Sequence, residues 1–157
     1  MTVWPLQSDR AAMTALYGNP DSGSGKPDPK WEAAHLVKII PPYRMLFGTT
    51  PITGIRVNKG CSEALLEALN GILKLYGSQA AIDAHNMHHF SGCYNFRPKR
   101  GGGSLSVHAY GAAIDLDAEH NPFRTKTFSM PKDVIKVFTD LGAEAGAHWN
   151  PPDALHF

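Results

Sequence analysis

The sequence predicts an α+β domain, on three observations: two amphipathic helical patterns, several short β-prone runs between turn residues, and a length that suits one compact core. The firmest helix covers about Ser62 to Tyr76. Leu65, Leu69, Ile72, Leu73 and Tyr76 recur there on one face, and Gly77 is a natural stop. A second helix starts at Ser129-Met130-Pro131, with Val134, Phe138 and Leu141 on its inner face and Gly142 at its end. A chain of 157 residues can bury roughly 68–70 % of its unfolded surface, so no disulfide is needed to hold it.

The remaining elements follow in order. Gln7 to Tyr17 reads as a short helix ended by Gly18-Asn19-Pro20, and Asp21 to Pro29 as a surface loop rich in Ser, Gly and Pro. His35–Ile40 and Ile52–Val57 are β-prone, separated by Pro41-Pro42 and the turn Gly48-Thr49-Thr50-Pro51. After the first long helix, Ala80–Ala84 and His89–Phe96 have strand character. A basic, glycine-rich stretch spans Arg97–Gly103, and Ala112–Asp117 reads as a buried strand. The end of the chain, Ala143–Trp149 and Leu155–Phe157, reads as short strands and turns. Trp31, Phe90 and Phe138 are assigned to the core. No repeat or low-complexity tract divides residues 1–157, which are taken as one domain: 1–60 form its N-terminal part and 94–157 carry its chemistry.

Composition excludes several classes of function. Hydrophobic residues make up 43 % and charged residues 18 %, a globular balance. A formal net charge of +1 gives no field for nucleic acid or an acidic membrane surface. No run of about 18 apolar residues occurs, and the N-terminus lacks a basic and then apolar leader. The expectation is synthesis as a soluble protein in the cytoplasm, with export left to other agents. Cys61 and Cys93 lack paired zinc-site spacing and are read as free thiols.

The informative segment is Ser106-Val107-His108-Ala109-Tyr110-Gly111-Ala112-Ala113-Ile114-Asp115. His108 and Asp115 cannot meet on one straight element, but they can if Gly111 bends the chain between them. Asp115 stands between Ile114 and Leu116 in an apolar run. A carboxylate buried there needs a strong partner, and a cation is the simplest one. The third ligand is placed at the C-terminus, in Asp153-Ala154-Leu155-His156. Zinc, one ion per chain, suits a His/Asp/His set with one position left for water. Asp153 is the acid held beside the metal to move a proton, and Arg97 is the fixed cation for a developing oxyanion. Ser106 is assigned to a substrate carboxylate or a neighbouring loop.

These residues resemble the M15 family of zinc D,D-peptidases and L-alanyl-D-glutamate peptidases, its VanY-type and bacteriophage endolysin members most. Ser106, His108, Gly111, Ala113 and Asp115 match the pattern Ser-x-His-x-x-Gly-x-Ala-x-Asp, and Asp153 with His156 matches acid-x-x-His. Trp149 resembles the tryptophan that precedes the second motif. Many members place Glu where Asp153 stands. The resemblance implies a small antiparallel sheet flanked by helices, shared with the Hedgehog N-terminal domain. It also implies peptidoglycan stem or cross-link peptides as substrate, and a monomeric phage lysin acting on the bacterial wall. The alternatives are a non-lytic D-Ala-D-Ala carboxypeptidase and a zinc-stabilised binding module that does not hydrolyse. The cluster His85-Asn86-Met87-His88-His89 lacks a spaced acid and is read as structural. His35, His120 and His148 are left as non-ligands, with His148 close enough to the site to contact substrate.

Overall fold

A computed structural model describes residues 3–157, and its architecture is α+β: five α-helices and six short strands, all strand pairs antiparallel. In chain order these are α1 (Arg10–Tyr17), α2 (Pro29–His35), β1 (Leu36–Ile39), β2 (Leu46–Phe47), β3 (Thr50–Pro51), β4 (Ile55–Asn58), α3 (Ser62–Tyr76), α4 (Gln79–Ala84), β5 (Phe90–Gly92), β6 (Asp115–Leu116) and α5 (Lys132–Asp140). The pairs are β1 with β4, β2 with β3, and β5 with β6. Isolated bridges join two of these pairs into one patch. Leu46 pairs with His89, and Asp115 pairs with His156, so the chain's last residues lie along β6. Ile114 and Phe157 exchange both backbone hydrogen bonds, at 2.9 and 3.0 Å.

The core lies between this patch, α3 and α5. Leu65, Ala68, Leu69 and Ile72 of α3 pack with Val134, Ile135 and Phe138 of α5 in one cluster that also holds Ile114, Leu116 and Phe157. Phe138 stacks on Phe157 at 4.1 Å between centroids, which ties the chain's end to α5. A second cluster, Met13, Tyr17, Val107, Tyr110 and Ala113, seats α1 beneath the turn that carries His108. Trp31 and Phe138 are buried, and Phe90 is half-buried against the core.

α3 occupies the residues its periodicity marked, and Gly77 ends it in the left-handed conformation (φ 76°). Three expectations are corrected. Ala80–Ala84 is helical: Ser78 caps α4 by accepting from the Ala81 N–H at 3.2 Å, and the alanine-rich run turns Ile82 alone inward. A further helix, α2, follows the Ser/Gly/Pro loop, capped by Asp28 with Pro29 in its first turn. The strands expected over His89–Phe96 and Ala112–Asp117 shrink to three and two residues, and the expected turns of Ala143–Trp149 include a 3-10 turn at Gly146–His148. Around these stretches the backbone bonds to turns and to the C-terminal segment, not to long ladders.

Candidate metal centre

His108 sits on a 3-10 turn, Val107–Tyr110, whose entry is capped by Ser106: its Oγ accepts from the His108 N–H at 3.3 Å. Gly111 closes the turn with φ 65°, and its carbonyl accepts from the Asn58 N–H at 2.8 Å. A Cβ at Gly111 would come within 2.9 Å of Asn58 N and of a Leu36 methyl, so both the dihedral and the space require glycine. The Asn58 side chain donates to the Tyr17 and Tyr110 carbonyls at 3.2 and 3.1 Å, locking α1 and the turn to β4. The chain then reverses into β6 and delivers Asp115. His156 arrives from the C-terminal segment directly across from it.

The three side chains converge. His108 Nε2 lies 3.2 Å from Asp115 Oδ2 and 3.2 Å from His156 Nδ1, and His156 Nδ1 lies 3.0 Å from Asp115 Oδ1. Both imidazoles are buried and Asp115 is largely so. Among the described residues this is the one group of three acids, histidines or cysteines whose ligand atoms gather closely enough to hold a metal ion. The separations fit zinc: bonds of about 2.0–2.1 Å in a tetrahedron put ligand atoms roughly 3.3 Å apart. The orientation fits too. His108 Nδ1 donates to the Cys93 carbonyl at 2.7 Å, which turns Nε2 toward Asp115 and His156. Trp149 lies against His156 at 5.2 Å between ring centroids and limits its swing.

The electrostatics set the two acids apart. Burial pushes the Asp115 carboxyl up, but the His108 and His156 hydrogen bonds outweigh it and hold the group well below the usual carboxylate range. Asp153 goes the other way. Burial raises its pKa and the neighbouring Asp115 charge adds to the rise, while His156, Arg100 and His108 pull against it. Its Oδ1 is buried with no hydrogen-bond partner. Asp153 is held by its backbone, donating to the Gly146 carbonyl at 2.8 Å, while the Gly146 N–H donates to the His156 carbonyl at 2.9 Å. A Cβ at Gly146 would run into the Asp153 carbonyl, so this clamp admits only glycine.

The other expected residues lie at varying removes from this centre. Ser106 is buried, with its oxygen on the His108 turn. Arg97 is half-buried, and its guanidinium donates to the Pro98 carbonyl at 3.3 Å. His148 is exposed on the 3-10 turn before Trp149. Sequence reasoning missed Asn58, the Cys93 carbonyl and Gly146. A glycine three residues before Trp149 was a usable signal for the clamp; a backbone carbonyl as orienting group leaves none. Cys61 and Cys93 are free thiols. His85 donates to the Ala81 carbonyl at 2.8 Å, and the His88 ring lies tilted against His89.

Residues 100–157 match a family model described as D-alanyl-D-alanine carboxypeptidase, and the match contains all three converging side chains and Asp153. Over this stretch the chain is similar to M15 peptidases. Comparison with curated proteins and with solved structures gives no match. No described helix is long and apolar enough to cross a membrane.

Proposed function

We propose that the chain is a zinc-dependent peptidase that hydrolyses peptidoglycan stem or cross-link peptides and serves as a bacteriophage lysin, working as a monomer on the bacterial wall. The observation that carries the reading is the His108, Asp115 and His156 convergence, with a second acid of opposite electrostatic character beside it. A zinc ion held by these side chains supplies Lewis acidity to the scissile carbonyl and lowers the pKa of water toward neutrality. The Cys93 carbonyl orients His108, and Trp149 orients His156. Asp153, beside the centre and pushed up by burial, accepts the proton of the attacking water and passes it to the leaving amine. Arg97 is assigned to the developing oxyanion, and the exposed His148 to substrate contact.

The test is digestion of purified sacculi and defined stem peptides, with products weighed by mass spectrometry. Chelation should abolish release and zinc should restore it, while a serine-protease inhibitor has no effect. Loss of a terminal D-Ala identifies a carboxypeptidase, the activity named by the matching family model; release from L-Ala identifies an endopeptidase. One zinc per chain with no cleavage of any muropeptide would overturn the enzyme reading in favour of a binding module.

A further inference from the structure

The hydrophobic core is divided in two, and a cavity of about 170 Å³ lies between the halves. Ala68, Ile114 and Phe157 wall it from one cluster; Tyr17, Val107 and Ala113 wall it from the other. Cys61, which packs against both clusters, sits at their junction. The sequence accounts for the space. α3 turns Ala64 and Ala68 toward it and the chain opposite brings Ala112 and Ala113, so short side chains meet where long ones would close the gap. Protein interiors contain few voids larger than a water molecule. One of about 150 Å³ with aliphatic and aromatic walls stays dry and accepts benzene or xenon.

Apart from His156, the buried lining is apolar or self-satisfied. Tyr17 and Cys61 hydrogen-bond one another, and burial pushes the Cys61 thiol up to about 11, so it stays neutral and behaves as a small apolar group. The N-terminal segment Trp4–Gln7 forms a partly buried wall on the side nearest solvent. Side-chain bonds hold that wall. Trp4 Nε1 donates to the Leu141 carbonyl at 3.1 Å, the Gln7 N–H to the Glu144 carboxylate at 3.1 Å, and Lys99 Nζ to the Gln7 carbonyl at 3.4 Å. A segment fixed in this way opens without unfolding α3 or α5.

Cavity and metal centre share one piece of backbone. Ile114 and Phe157 exchange both hydrogen bonds and border the cavity, while their chain neighbours Asp115 and His156 reach the centre. His156 borders both. Side chains beside a void lack contacts on that side, and an occupant supplies them. Restraining Ile114 and Phe157 restrains the segments that carry Asp115 and His156, so a metal meets side chains with less freedom left to lose.

We propose that this cavity is a binding site for a compact apolar molecule the size of a benzene ring, and that its occupancy strengthens metal binding at His108, Asp115 and His156. The link to the centre rests on the zinc reading; the cavity itself does not. The experiment titrates benzene into the full chain, zinc-free and zinc-loaded, and follows the methyl resonances of Ala64, Ala68 and Ala113. Their shifts should saturate, and glycerol, a polar molecule of similar size, should cause none. Ala68→Leu fills the space and should weaken benzene about tenfold or more. Ala64→Val makes a smaller addition at a half-buried position and should weaken it less. Competition against a chromophoric chelator should show zinc held about fivefold or more tighter at saturating benzene. By reciprocity benzene should bind the zinc-loaded chain tighter by the same factor.

Shifts that never saturate, equal shifts with glycerol, or undiminished binding in both variants would overturn the site. Zinc affinity indifferent to benzene would overturn its link to the centre. Saturable benzene binding without any peptide cleavage would leave the site standing and remove the peptidase; cleavage without benzene binding would do the reverse.

Discussion

Around α3 and α5 the protein is held by buried area, whereas around His108 it is held by single contacts. Leu69, Ile72 and Val134 are wholly buried in a cluster that spans two helices and the sheet patch, so many side chains share the load. The centre instead uses a four-residue turn, a two-residue strand and an isolated bridge, each closed by one or two hydrogen bonds. Regular packing supplies free energy, and irregular backbone supplies direction. Directing three side chains and one acid at a point needs turns that no helix or ladder provides. The contrast makes a claim that can be broken: substitutions at the centre should cost activity and little stability, and those in the helical core the reverse.

Asp153→Asn should produce the largest effect. Loss of a positioned proton acceptor typically costs 10²–10⁴-fold in kcat. The melting temperature should hold or rise, because the substitution removes a carboxylate that burial and the Asp115 charge already disfavour. Zinc content by elemental analysis should stay at the wild-type level. A variant that keeps its full rate would strip Asp153 of its role, and one that unfolds would break the contrast itself.

The converse substitution is Leu69→Ala. It empties a fully buried position in α3 and should destabilise the fold by about 2–5 kcal/mol in denaturant titration. Below the transition, kcat per folded molecule should match wild type. A large kcat loss in a folded Leu69→Ala protein would mean that α3 positions the centre as well as supporting it.

The same contrast decides what could be read from the residues. α3 was legible to its last residue because its apolar period is long and Gly77 ends it in the conformation glycine favours. α4 was not, since six residues with one buried side chain carry no usable period, and the Ser78 cap decides the matter. The converging side chains were legible as residue types at fixed spacing, with Gly111 as the hinge. The partners that orient them were hidden for a physical reason. The Cys93 group on His108 is a main-chain carbonyl, and Asn58 reaches the His108 turn from β4, far away in sequence.

Gly111→Ala tests the seam between the two regions and should affect both. A Cβ there meets Asn58 N in a backbone conformation that disfavours it, for an expected loss of about 1–3 kcal/mol. Zinc affinity should fall with it, because the displaced turn carries His108. Competition against a chromophoric chelator measures this directly. Unchanged affinity with lowered stability would show that the turn yields at Asn58 and leaves the ligand in place.

The smallest effect sharpens the role of Ser106. Its buried oxygen accepts the His108 N–H, so Ser106→Ala removes a cap typically worth about 1 kcal/mol and loosens the turn under one ligand. A cap predicts a drop in melting temperature of a few degrees and a slight weakening of zinc, with the same KM for free-acid and amidated peptides. A direct bond to a substrate carboxylate predicts the opposite pattern, a KM rise confined to the free acids with the melting temperature unmoved. Because its oxygen already lies on the turn, the first pattern is the one expected.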